Sequence, residues 1–147
     1  MKEIVKKSLD KLKADIIKRH RAKGQVASGK TLRMFRTEVD DSGGRLCGAE
    51  WAGTLEKGRK GGKVPYDFKQ DIIKWAKIKG ISFANQRELE KFAWFVVKKI
   101  RKEGTKRYKT NEDIFTTAIK EFRKELLQTL TANYIKEIKI SIYGKTK

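Results

Sequence analysis

The residues of this chain with types and spacing suited to chemistry are few, and most are cations. Gly24-Gln25-Val26-Ala27-Ser28-Gly29-Lys30-Thr31 matches the phosphate-loop pattern G-x-x-x-x-G-K-[ST] letter for letter. That loop holds phosphates only when a buried strand leads in and a long helix leads out, so that loop and helix N–H groups converge on the anion. Here Asp15 to Lys23 read as a charged helix end, and Thr31-Leu32-Arg33-Met34-Phe35 support one helical turn before strand-like residues. No hydrophobic strand ending in an acidic residue follows to hold magnesium. The expectation is a flexible connection in which Ser28 caps a short turn. His20 and Cys47 are the lone histidine and the lone cysteine. They leave no Ser-His-Asp or Cys-His arrangement and no metal-ligand spacing, and Cys47 reads as an inert thiol on a strand. Asp40-Asp41 belongs to a turn, and Glu121 and Glu125 to the exposed face of a helix. The sequence points to no enzyme, no metal and no cofactor.

The positive charge is concentrated in two places. Gly48 to Pro65, GAEWAGTLEKGRKGGKVP, holds an aromatic anchor at Trp51 and a helical turn Leu55-Glu56-Lys57 stopped by Gly58. Arg59, Lys60 and Lys63 follow before the single proline. A core needs no such loop, so its residues Trp51, Glu56, Gly58, Arg59, Lys60 and Lys63 are candidates for contact with a partner. The plain alternative is a solvated surface loop. The second cluster, Lys98, Lys99, Arg101, Lys102, Lys106 and Arg107, lies at and beyond the end of a helix, where cations also complement the helix dipole. It is a candidate surface for nucleic acid or an acidic partner.

Composition sets the frame around these clusters. The chain has 147 residues, 37 of them Lys or Arg against 18 Asp or Glu, for a net charge of +19. That length suits one domain, residues 1–147, with a real core. The charge suits a polyanionic or acidic partner. One cysteine excludes an intramolecular disulfide and fits a reducing compartment. The absence of an apolar N-terminal run or of any stretch near 18 apolar residues predicts a soluble protein made in a cytoplasm, with no membrane contact.

The elements that must position the clusters follow from periodicity. Val5, Leu9, Leu12 and Ile16 predict an amphipathic helix over 2–23. Alternation of Phe35, Thr37 and Val39, turn residues Asp41-Ser42-Gly43-Gly44, and alternation of Cys47, Ala49 and Trp51 predict a hairpin over 35–51. The basic loop spans 57–65. Helices are expected over 66–80 and 85–103, the latter apolar nearly all round at Phe92 to Val97 and hence the most buried. A helix over 111–134, capped by Thr110 or Asn111, is followed by a strand over 135–143 from the alternation of Ile138, Ile140 and Ile142. Pairing that strand with the hairpin gives an α+β fold: a small antiparallel sheet packed against about four helices.

The order of helix, S-G-x-T-L turn, hairpin and then E-W-A-x-x-L-E-K-G-R-K-x-G-K-x-P resembles the small neck, or tail-completion, proteins that join head to tail in tailed bacteriophages. The resemblance covers roughly residues 28–107. Its positions are Trp51-Ala52, Leu55-Glu56, Gly58, Arg59-Lys60, Pro65, Ile72-Ile73-Lys74-Trp75, Lys79-Gly80-Ile81 and Ile100 to Thr105. It implies a structural virion protein, made in the bacterial host cytoplasm and assembled as a homo-oligomeric ring at the head–tail junction. Portal or connector proteins and tail proteins would be its partners, and the resemblance leaves room for contact with the genomic DNA passing through the ring. The competing reading, from charge alone, is a basic DNA- or RNA-binding protein.

Overall fold

The computed structural model describes residues 1–106 and 113–144. In chain order the elements are α1 (Lys2–Ala22), α2 (Lys30–Arg33), β1 (Arg36–Asp40), β2 (Gly43–Cys47), α3 (Ala52–Lys57), α4 (Phe68–Ile78), α5 (Gln86–Glu103) and α6 (Thr116–Tyr143). The fold is α+β and helix-rich, with a small antiparallel hairpin. The chain divides into two compact units. The first comprises 1–23, 33–48 and 114–147, and the second 24–32 and 49–113.

In the first unit the hairpin and α6 both pack on α1. Leu9, Leu12, Ile16 and His20 of α1 are buried, at spacings of three, four and four, with Phe35, Ile114 and Ala118. His20, in what reads from sequence as a charged helix end, continues the apolar stripe. Its ring lies 5.9 Å from that of Phe35 and 5.5 Å, edge-on, from that of Phe115. The hairpin pairs Arg36 with Cys47 and Asp40 with Gly43 across a two-residue turn at Asp41-Ser42. Asp40 Oδ1 accepts from the Ser42 and Gly43 amides at 2.8 and 3.0 Å, the side-chain turn that Asp favours. A Cβ on Gly44 would come within 2.7 Å of Leu9 and Val5, so glycine lets β2 lie flat on α1.

The expected C-terminal strand is not formed. Residues 135–143 continue α6, and the sheet has two strands. From Thr116 to Tyr143 there is neither glycine nor proline, so nothing interrupts the intrahelical ladder until Gly144. Thr129 and Asn133 satisfy their own side-chain donors on the Glu125 and Thr129 carbonyls one turn back. Alternation of isoleucines predicts a strand only when one face is buried, and here both sides of the segment are exposed. The proposed cap at Thr110 or Asn111 lies outside the described residues.

In the second unit, Ile73 and Ala76 of α4 meet Leu89 and Ala93 of α5, with Ile72, Phe83 and Phe92 packed against them. Asn85 caps α5, its side chain accepting from the Glu88 amide at 3.0 Å. α5 is not apolar all round in its packing. Its buried line is Leu89, Ala93 and Val97, while Trp94 and Phe95 point outward. Trp51, expected on a strand, precedes the first turn of α3 in helical conformation.

Candidate functional site

The two basic clusters, forty residues apart in sequence, meet in the second unit. α3 stops at Gly58 (φ 72°, ψ −169°) and α5 stops at Gly104 (φ 78°, ψ −168°). Both conformations lie in a region open only to glycine. From these stops the two segments run against each other. The Arg59 amide donates to Thr105 Oγ1, the Thr105 amide to the Arg59 carbonyl, and the Gly62 amide to the Arg101 carbonyl, each at 2.8 Å. The last of these satisfies a carbonyl that the helix end leaves without an intrahelical donor. The backbones approach closely enough to require glycine: a Cβ on Gly61 would lie 2.8 Å from the Lys102 carbonyl oxygen, and one on Gly104 would collide with that of Arg59. Arg59 folds back, its Nη2 donating to the Lys63 carbonyl at 2.6 Å and its guanidinium lying 5.5 Å from the Phe68 ring centre.

The electrostatic result is that two basic segments are held side by side by their backbones. Lys57, Arg59, Lys60 and Lys63 join Lys98, Lys99, Arg101, Lys102 and Lys106, while Glu103 is the one carboxylate in segments 57–63 and 98–106. Charges this close act within a Debye length of one another and reinforce attraction for an anion. The backbone bonds between loop and helix hold the cations together against their mutual repulsion. Arg107, expected in the same cluster, lies outside the described residues.

The other candidate residues fall into place around it. Trp51 is 44% exposed; its indole N–H donates to Thr31 Oγ1 at 3.2 Å, and the Lys30 ammonium lies 5.8 Å from its ring centre. Glu56, read as a partner contact, is only 4% exposed. A carboxylate so enclosed presents almost no surface to a partner. The phosphate-loop pattern lacks the strand and the long helix the chemistry needs: α1 precedes it in the chain and four-residue α2 follows. Its polarity is also reversed, since its carbonyls face a cation. Lys79 Nζ donates to the Gly24 and Val26 carbonyls at 3.0 and 2.7 Å. Ser28 accepts from the Lys30 amide at 3.4 Å, as its turn-capping role requires.

Sequence reasoning passed over the outward face of α5. Arg87, Lys91, Trp94, Phe95 and Lys98 recur at i, i+4, i+7, i+8 and i+11, one helical face, and they line a shallow groove with Glu90. Trp94 is 51% and Phe95 63% exposed, and nearby Tyr66 is fully exposed. Lys69 lies 5.5 Å from the Trp94 ring centre and pairs with Glu90 at 3.2 Å. Hydrogen bonds from Lys69 and then Gln86 hold the Glu90 carboxyl below its ordinary pKa, so it stays ionised and committed to Lys69. The signal was present in the helical spacing, but an aromatic pair inside an apolar run reads as core until its outward phase is fixed. Among the described residues no group of His, Cys, Asp and Glu could hold a metal ion, and no helix is long and apolar enough to cross a membrane. No protein-family model, curated protein or solved structure matches the chain.

Proposed function

We propose that this chain is a structural joining protein of a tailed-phage virion. It forms a homo-oligomeric ring at the head–tail junction and binds portal or connector and tail proteins there. The observation that carries the reading is the second half of α6. Leu127, Tyr134, Ile138 and Ile142, at spacings of seven, four and four, form an apolar stripe exposed along its length. Its extent is on the order of several hundred Å², the size at which apolar surface marks an interface. A closed ring built from such a surface uses heterologous contacts, each subunit offering one face to the next. The basic loop supports the same reading as a preformed, backbone-anchored surface for acidic groups on a neighbouring protein, which limits the ordering cost of docking.

The test is the native mass of the purified protein, alone and mixed with portal protein. The expected result is a discrete oligomer, or one formed on the portal, that Leu127→Asp with Ile138→Asp dissolves into folded monomers. A monomer at every concentration that also ignores the portal refutes the proposal.

A further inference from the structure

We infer that the outward face of α5 is a binding surface for single-stranded nucleic acid, a site independent of the ring reading above. Single-strand platforms combine cations that track phosphates with aromatic faces on which bases stack. α5 carries both on one line. Arg87 to Lys98 spans about 16 Å at 1.5 Å per residue, room for about five nucleotides at 3.4 Å each. Lys91 and Lys98 flank the exposed rings of Trp94 and Phe95 one helical turn away on either side. Neither lysine makes an ion pair among the described residues, so both are open to phosphates. The groove's one carboxylate, Glu90, is held by Lys69, which removes the group that would repel the strand.

The rings decide the class of polyanion. A duplex keeps its base faces stacked inside and gains nothing from exposed indole and phenyl groups. An acidic protein segment has charge but no π faces. Exposed Trp94 and Phe95 are apolar area left in water at a cost, among cations that would otherwise extend the basic surface. Lys69 lies 5.5 Å from the Trp94 ring centre and Lys99 6.0 Å from that of Phe95; an unpaired base replaces these cations on the rings and offers them its phosphate.

The experiment is fluorescence anisotropy of a labelled dT oligonucleotide of about twenty residues at physiological salt, against a duplex of equal length and against polyglutamate. The oligonucleotide should bind at least tenfold tighter than either competitor. Trp94→Ala with Phe95→Ala removes no charge, and both sites are exposed, so the fold should survive; a thermal melt checks this. Loss of stacking should weaken binding roughly 5- to 160-fold for each ring, and a Trp94→Phe variant that keeps Phe95 should retain most of the parent's affinity. Equal binding of duplex or polyglutamate, no binding at physiological salt, or a double variant indistinguishable from the parent would each overturn the inference. Native mass measured on the same samples keeps this outcome separate from that of the ring.

Discussion

Gly104→Ala tests whether the basic surface is built by the backbone. The substitution acts in two ways. Alanine must adopt φ 78°, ψ −168°, a conformation costing about 1–3 kcal/mol for any residue but glycine. Its methyl also meets the Arg59 carbonyl and lies 2.8 Å from the Gly61 amide nitrogen. Relief requires parting the loop from α5, which breaks three backbone-anchored hydrogen bonds worth about 0.5–1.5 kcal/mol each. Parting the loop relieves both and sets the cost, so the expected loss is about 1.5–4.5 kcal/mol, or roughly 3–18 °C in melting temperature for a chain of this size. All three tryptophans, Trp51, Trp75 and Trp94, belong to the second unit. Denaturant unfolding followed by tryptophan fluorescence therefore reads the affected unit directly. Amide exchange at Gly62 and Thr105 should quicken, while amides of the hairpin stay unchanged. Thr105→Ala, which removes only the acceptor for the Arg59 amide, should cost about 1–3 kcal/mol. A Gly104→Ala protein with the parent's midpoint and unchanged exchange at Gly62 would show that loop and helix are not joined as described.

Other consequences are checked more simply. Lys60→Glu with Lys63→Glu should leave the fold intact and block incorporation into virions, because like charges across an interface cost several kcal/mol; normal tailed particles from that mutant would contradict the role given to the loop. Leu89→Ala should cost about 2–5 kcal/mol by opening a cavity between α4 and α5, whereas Phe95→Ala should stay within about 0.5 kcal/mol, both read from urea midpoints. ATP or GTP with magnesium should show no measurable binding by calorimetry, and Lys30→Ala should change nothing. Asp40 is held below its ordinary pKa by the Ser42 hydroxyl, then the Ser42 amide, then Arg45. A folded pKa below the unfolded one stabilises above the unfolded value, about 3.9, and that stabilisation disappears as pH falls through the folded value. Protection of the Ser42 and Gly43 amides, relative to their intrinsic exchange at each pH, should therefore fall as pH drops through the lowered Asp40 pKa, and Asp40→Ala should abolish the dependence.

What sequence alone determined here is local. The stripes of α1, α4 and α5 follow from apolar residues at helical spacing, and the stops at Gly58 and Gly104 from positions where only glycine adopts the required φ. The hairpin turn follows from Asp41-Ser42-Gly43-Gly44, one residue later than the observed turn, which Asp40 closes by reaching amides two and three residues on. Such features depend on a few neighbouring residues, so a linear reading captures them. Tertiary structure decided everything that depends on what lies opposite. Ile138, Ile140 and Ile142 alternate as a strand would, yet neither face of the segment is buried, and they complete a helix free of glycine and proline. Trp94 and Phe95 look like core in a run of apolar letters, but α4 covers only the line through Leu89 and Ala93, so the rings face out. Glu56 reads as a partner contact and is enclosed, while His20 reads as part of a charged helix end and is packed against phenylalanine rings. The meeting of Arg59 and Lys63 with Arg101 and Lys102 appears in no local pattern, since it is made by backbone bonds between residues some forty positions apart.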